Sequence, residues 1–251
     1  MHGVLAALES EFVPTDFGSG CVLWLTARTG VTLGTGTNVA TWADRSSYGN
    51  NAVSTGGMSP TYETSGGNLI NGQRTIRFGV NNGGNTRMEI ADAASLKPTT
   101  AISCSCVVRF QTSIDNFQVL FTKTTDPAQS TDGWAMFNPL DTDSAQGMYI
   151  NIYTNHAEAT GLSINTNYIL TGIYTGSAME YYVNGTLAQS VPYSTPISYP
   201  SPSTLLIGQA ATYANLTGLI PEIVVCNFAL NTSQRQLLER GYFERVYGID
   251  A

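Results

Sequence analysis

Between Gly218 and Arg235 a β-period run passes straight into a capped helix, and this junction limits the possible folds more than any other stretch of the chain. From Leu219 to Phe228 the apolar side chains fall on both parities: Ile220, Val224, Cys226 and Phe228 on one, Leu219, Ile223 and Val225 on the other. A strand that is apolar on both faces must be covered on both, so it is expected at the centre of a sheet. Pro221 cannot donate to a ladder, which places it near the strand's start or at a bulge. Asn231 and Gln234 have capping-box spacing, and Leu238, Tyr242, Val246 and Ile249 recur with helical period. A helix over Thr232 to Tyr247, laid on the body, is therefore predicted.

Elsewhere the period is two. Ala101 to Gln111 puts Ile102, Cys104, Cys106, Val108 and Phe110 on one face and Ser103, Ser105, Arg109 and Gln111 on the other, the pattern of a half-buried antiparallel strand. Asn167 to Tyr174 and Ala178 to Val183 read as strands around Thr175-Gly176-Ser177, and Asn184-Gly185 supplies a type I′ hairpin turn before Thr186 to Val191. Further strands are expected near Cys21 to Thr26, Arg74 to Phe78, Thr86 to Ile90, Phe117 to Thr122, Gly133 to Phe137, Gly147 to Tyr153 and Thr204 to Ile207. Ser46 to Asn68, Asn81 to Asn85, Thr124 to Asp132 and the proline-rich Pro192 to Pro202 read as loops, the last as a stiff connection or an exposed aromatic surface.

A chain of 251 residues, 42% hydrophobic, can bury a sizeable core as one all-β domain. Only 12% of the residues are charged, with 25 glycines and 10 prolines, which suits short strands joined by tight turns. A net charge of −7 without a Lys/Arg cluster argues against nucleic acid or an anionic membrane as partner. No apolar run approaches the ~20 residues needed to span a bilayer. The opening Met1 to Glu11 lacks a basic segment and is interrupted by carboxylates, so it does not read as a signal peptide, and folding in a cytoplasm is expected. Cys104 and Cys106 share a strand face and read as core residues; neither CxxC spacing nor His partners suggest zinc.

The junction at 218–235 resembles the closing strand and terminal helix of laminin-G-like jelly rolls in the concanavalin A-like lectin and glucanase superfamily. Val22 to Ala27, Val39 to Ser46 and Gly49 to Ala52 are similar to that family's opening and Arg74 to Gly79 to its next strand, with Tyr181 to Gly185 and Leu205 to Gly208 in the expected order. The resemblance covers nearly all of Cys21 to Ile249. It implies an all-β, two-sheet antiparallel jelly-roll sandwich (concanavalin A-like) over 21–251, with one C-terminal helix and a short N-terminal arm at 1–20. Since the first and last strands of such sandwiches can lie close, a Cys21 to Cys226 bridge is conceivable. Some relatives hold calcium in loops at one sandwich end, and Asp126, Asp132, Asp141 and Asp143 supply hard oxygen ligands here. Acidic turn residues are more often solvated turn formers, so no cofactor is expected.

The Glu-x-Asp-x-x-Glu strand motif of glucanases on this fold, which sets two carboxylates about 5 to 5.5 Å apart, does not occur in the chain, and Glu222 reads as structural or edge-facing. Sugar binding on this fold pairs an aromatic platform with Asn or Asp, and Tyr48 with Asn50, Trp134 and Tyr153 are the candidate glycan contacts, each with a structural alternative, Trp134 most clearly as a core residue. Within the arm, Val4, Leu5, Leu8 and Phe12 follow a one-face helical spacing before Pro14 and Gly18-Ser19-Gly20 break it; a helix this short is marginal alone, so it packs on its own body or on a neighbouring subunit, the docking contact being the one expected. The expectation is a non-enzymatic structural or adhesive component of a larger assembly: a bacteriophage virion protein such as a capsid decoration, head fibre or tail-associated protein, in a homo-oligomer or particle lattice. A lectin-like carbohydrate-binding module that holds a host surface glycan is the alternative, ahead of a degenerate glycosidase.

Overall fold

The computed structural model describes residues 11–80, 84–112, 118–126, 131–138, 145–210 and 215–251. Its strands are β1 (Cys21–Thr26), β2 (Val31–Leu33), β3 (Val39–Trp42), β4 (Ala52–Val53), β5 (Thr61–Glu63), β6 (Thr75–Phe78), β7 (Met88–Ile90), β8 (Ile102–Phe110) and β9 (Val119–Lys123). Then follow β10 (Trp134–Phe137), β11 (Gln146–Ile150), β12 (His156–Ala159), β13 (Asn167–Tyr174), β14 (Ala178–Val183), β15 (Thr186–Pro192), β16 (Leu205–Ile207) and β17 (Gly218–Cys226). One sheet has the order β15-β14-β13-β8-β17-β6-β5, with β1 also paired to β17; the other runs β12-β11-β10-β9-β16-β7-β4-β3-β2. The strands pair antiparallel, and the side chains between the sheets, among them Trp42, Phe78, Phe110, Phe121, Trp134 and Tyr181, form the main core. This is the all-β two-sheet jelly-roll sandwich expected.

The strand–helix junction has the predicted form. β17 is buried at every position, and its register against β8 jumps between Leu219 and Glu222, so Pro221 sits in a bulge where no ladder donor is needed. Asn231 Oδ1 accepts from the Gln234 amide at 2.9 Å while the Asn231 amide donates to Gln234 Oε1 at 3.0 Å. From this cap α1 (Thr232–Leu238) continues through a π-helical stretch (Glu239–Glu244) into α2 (Arg245–Tyr247), which ends at Gly248 with φ of 60°. The helix lies on the outer face of the first sheet, where Leu238, Tyr242, Phe243, Val246 and Tyr247 pack with Val107, Ile169, Ile173 and Leu219.

That cover explains one departure. β8 is not half-buried: Ser103, Ser105 and Val107, which face the helix, are as inaccessible as the core side. Ser103 Oγ donates to the Phe228 carbonyl and accepts from the Leu230 amide, both at 2.9 Å, pinning the chain where it leaves β17. A second departure is that the stretch expected as a loop at 46–68 contains β4 and β5. The proline-rich connection is not an exposed aromatic surface: Ile197 is buried, and Tyr199 donates to the Pro98 carbonyl at 2.9 Å.

Residues 11–20 also pack on the body. Phe12, expected to face a neighbouring subunit, stacks edge-on against Phe17 with centroids 5.0 Å apart, and Phe17 meets Phe228 at 5.9 Å. The Arg245 guanidinium donates to the Phe12 carbonyl at 3.1 Å and pairs with Glu11. Half-buried in the cluster under the helix, Phe12 is therefore committed to its own chain. Val4, Leu5 and Leu8 lie outside the described residues.

Candidate functional site

The four candidate glycan contacts occupy unrelated settings. Trp134 is fully buried, edge-on to Phe121, and its indole donates to the Leu96 carbonyl at 3.2 Å, so it is a core residue and offers no platform. Asn50 is 8% exposed, and its amide donates to the Val22 carbonyl at 2.8 Å and Ser95 Oγ at 3.0 Å. It belongs to a turn organised by Asp44, whose carboxylate accepts from the backbone amides of Trp24, Ser46 and Asn50. Tyr48 and Tyr153 are each 41% exposed; Tyr48 donates to the Ser19 carbonyl, whereas Tyr153 stands between β11 and β12.

Of the calcium candidates, Asp132 is buried and satisfied by protein donors: Thr124 Oγ1 at 2.6 Å, the Thr125 amide at 2.8 Å, and Thr125 Oγ1. Asp126 lies six residues before it in the same loop, and Asp141 and Asp143 fall outside the described residues. Among the described residues no three His, Cys, Asp or Glu side chains come together as a metal site.

Glu222 is the most enclosed carboxylate. It accepts from Trp24 Nε1, from Tyr242 at 2.6 Å and from Tyr247, with Arg28 Nε 3.9 Å away. Burial pushes its pKa above the ordinary value of 4.5 even though these donors and Arg28 pull it down. With its oxygens engaged under the helix, it is a structural anchor, as the lone carboxylate in its strand implies.

A ligand-sized space lies at the lateral edge of the sandwich, where β12 of one sheet meets the β14–β15 hairpin of the other. The cleft measures about 440 Å³ and is lined by Glu158, Thr160, Leu162, Val183, Ala188 and Gln189. It falls within the roughly 300 to 1,000 Å³ of small-ligand sites. Its placement follows from local sequence. His156-Ala157-Glu158-Ala159 alternates, so Ala157 and Ala159 turn inward while His156 and Glu158 share the outer face, with Nε2 and Oε2 3.6 Å apart. Across the gap, the Asn184-Gly185 turn, with φ of 47° and 74°, sets the register of the β14–β15 hairpin. Gln189 Oε1 accepts from the Glu158 backbone amide at 2.7 Å, which joins the two edges. Glu158 and Gln189 thus line the same cleft as the apolar Leu162, Val183 and Ala188.

Sequence reasoning missed these residues. The His156-Ala157-Glu158-Ala159 alternation is a usable signal for an edge strand. Nothing local ties Gln189 to Glu158, thirty-one positions earlier.

Two antiparallel sheets with an open edge cleft and one helix on the back define a jelly-roll sandwich of lectin-like form. The chain belongs to the concanavalin A-like lectin/glucanase superfamily: the Laminin_G_3 family model matches residues 82–234, more than half of it. No curated protein matches it in sequence. Among solved structures it is similar to domain 4 of AbnA, an extracellular arabinanase from Geobacillus stearothermophilus in complex with arabinotriose, at 13% identity and a TM-score of 0.65, covering 87% of this chain and 98% of that one. It is also similar to the binding domain of Paraclostridial Mosquitocidal Protein 1, at 15% identity and a TM-score of 0.64, over 92% of this chain and 53% of that one. A third likeness is to botulinum neurotoxin type C, whose cell entry depends on interaction with two ganglioside molecules, at 12% identity and a TM-score of 0.61, over 91% and 52%. The chain spans about half the length of the two toxin chains. At such identities the likeness concerns the fold.

Proposed function

We propose that this protein is a non-enzymatic binding module that holds a neutral glycan in the β12–β15 edge cleft, as the adhesive part of a larger particle such as a bacteriophage virion. The observation that carries the reading is the cleft itself, where Glu158 and Gln189, joined by a hydrogen bond, share the lining with the apolar Leu162, Val183 and Ala188. A carboxylate accepts from sugar hydroxyls and a primary amide donates to them, while the C–H face of a pyranose or furanose covers aliphatic side chains. An acidic sugar would meet the Glu158 charge, so neutral residues fit better. Hydrolysis by the usual route needs two carboxyl groups flanking the bond. The cleft lining contributes one, and Glu222 is engaged elsewhere. The arabinotriose-bound neighbour and the ganglioside-dependent neurotoxin support a binding module on this fold.

The particle role draws on the charge-poor, polar composition, in which 12% of residues are charged, and on the apolar spacing of Val4, Leu5 and Leu8. The test is a glycan array probed with the labelled protein. Neutral oligosaccharides should be retained without release of reducing ends, and Gln189→Ala and Glu158→Ala should each lose that binding with the melting temperature little changed. Binding that survives both substitutions would reject the cleft, and turnover of a bound oligosaccharide would reject the non-enzymatic reading.

A further inference from the structure

We infer that Cys21 and Cys226 are a covalent cross-linking site, closed by a disulfide that ties the first strand of the sandwich to the last. Both residues are free thiols in the structure, and the Cys21 thiol donates to the Leu23 carbonyl at 3.7 Å.

The argument is one of register. In the β1–β17 ladder Trp24 opposes Val224 and Leu23 opposes Val225; a bulge at Val22 then brings Cys21, not Val22, directly opposite Cys226. Without that bulge the two cysteines would miss each other by one position. The Asn227 amide donates to the Gly20 carbonyl at 3.0 Å, which is the bond that flanks a non-hydrogen-bonded antiparallel pair at 21 and 226. Such pairs have Cα atoms about 4.5 Å apart and their side chains closest together, inside the roughly 4.4 to 6.8 Å span that a disulfide requires. Both side chains point the same way, into the cluster beneath the helix, and both are wholly buried. The other two cysteines face the opposite side: Cys104 and Cys106 point into the space between the sheets, and on β8 it is Ser103 that opposes Cys226.

Burial holds the Cys21 thiol up at about 12 and Cys226 well above its usual range, so in the folded protein neither is a ready nucleophile. The bond therefore forms while β1 is docking on β17. One cysteine thiolate attacks a small-molecule disulfide such as glutathione disulfide and expels one glutathione thiolate. The second cysteine thiolate then attacks the mixed disulfide and expels the other. Two protein thiols lose two protons and two electrons, and the oxidant's S–S bond takes up both electrons. The product closes the sandwich from its first strand to its last into one loop, which restricts the unfolded ensemble.

The full chain is refolded from denaturant with glutathione disulfide and glutathione, or with glutathione alone, then alkylated, digested without reduction and weighed. The oxidised sample should yield one linked pair of peptides, carrying Cys21 and Cys226, with Cys104 and Cys106 alkylated. Its melting temperature should exceed that of the reduced sample, and a reductant should remove the difference. Cys226→Ser should give neither the linked pair nor a redox-dependent melting temperature. Four alkylated cysteines in the oxidised wild-type protein, or a linked pair other than 21 with 226, would overturn the inference, and the wild-type comparison alone decides it should the variant fail to fold.

Discussion

The Tyr242 hydroxyl donates to the Glu222 carboxylate at 2.6 Å and accepts from the Arg28 guanidinium at the same distance, joining helix, last strand and the turn after the first strand through one phenol. The π-helical stretch makes this possible. Tyr242 and Tyr247, five positions apart, would point roughly 140° apart on an α-helix. The wider π turn absorbs a residue, and both hydroxyls reach the same carboxylate. Removing a partner from such a buried, charged network leaves desolvated groups without compensation. Glu222→Ala is expected to cost about 3 to 5 kcal/mol, and Tyr242→Phe about 1 to 3 kcal/mol, by chemical denaturation.

Glu222 also has a pH signature. Its folded pKa is raised by burial above 4.5, so between that value and the folded pKa the folded state holds a proton that the unfolded state has lost. Stability from this group is then full below about 4.5 and falls as pH rises through the folded value. Glu239, raised by burial in spite of Thr171 and Arg235, acts in the same direction. Glu222→Gln should flatten the decline measured by denaturation across this window, and a decline unchanged by the substitution would assign it to other groups.

Lys123 is fully buried and donates to Asp92 Oδ1 at 2.5 Å and to the Ser203 carbonyl. Burial would raise Asp92, but hydrogen bonds from Lys123 and Lys97 hold it down at about 2. Asp92→Ala strands the Lys123 ammonium and should cost about 3 kcal/mol, the low end for a broken buried pair because Asp92 is partly exposed. Lys97→Ala, which removes the more exposed partner, should cost under about 1 kcal/mol.

Gly133 has φ of 66°, and a Cβ there would lie 1.7 Å from the Lys123 carbonyl oxygen. Backbone cannot move aside as a side-chain tip can. Gly133→Ala combines left-handed strain with this overlap and should cost about 3 kcal/mol or more, seen as a lower melting temperature.

Phe12 and the residues before it should separate in experiment. Phe12→Ala removes half-buried apolar surface and should lower domain stability by about 1 to 2 kcal/mol. Deleting 1–10 should leave the melting temperature nearly unchanged while incorporation into the proposed particle fails. Unimpaired assembly would remove the docking role from Val4, Leu5 and Leu8.

What the sequence determined by itself was local. The Asn231–Gln234 cap, the Asn184-Gly185 turn and the two-faced apolar run of β17 are legible because each is set by neighbours within a few residues. Short strands such as β4, at Ala52–Val53, escaped because two residues have no period. Only the tertiary structure decided the rest, since each remaining feature depends on what lies opposite. Ser103 and Ser105 read as solvent-facing until a helix covers them, and of the two readings open for Trp134, platform or core, the packing between the sheets selects the core. Glu158 and Gln189 become neighbours only where the edges of two sheets converge, and a single bulge at Val22 decides that Cys21 meets Cys226. Register and packing join residues far apart in the chain, and no local period records them.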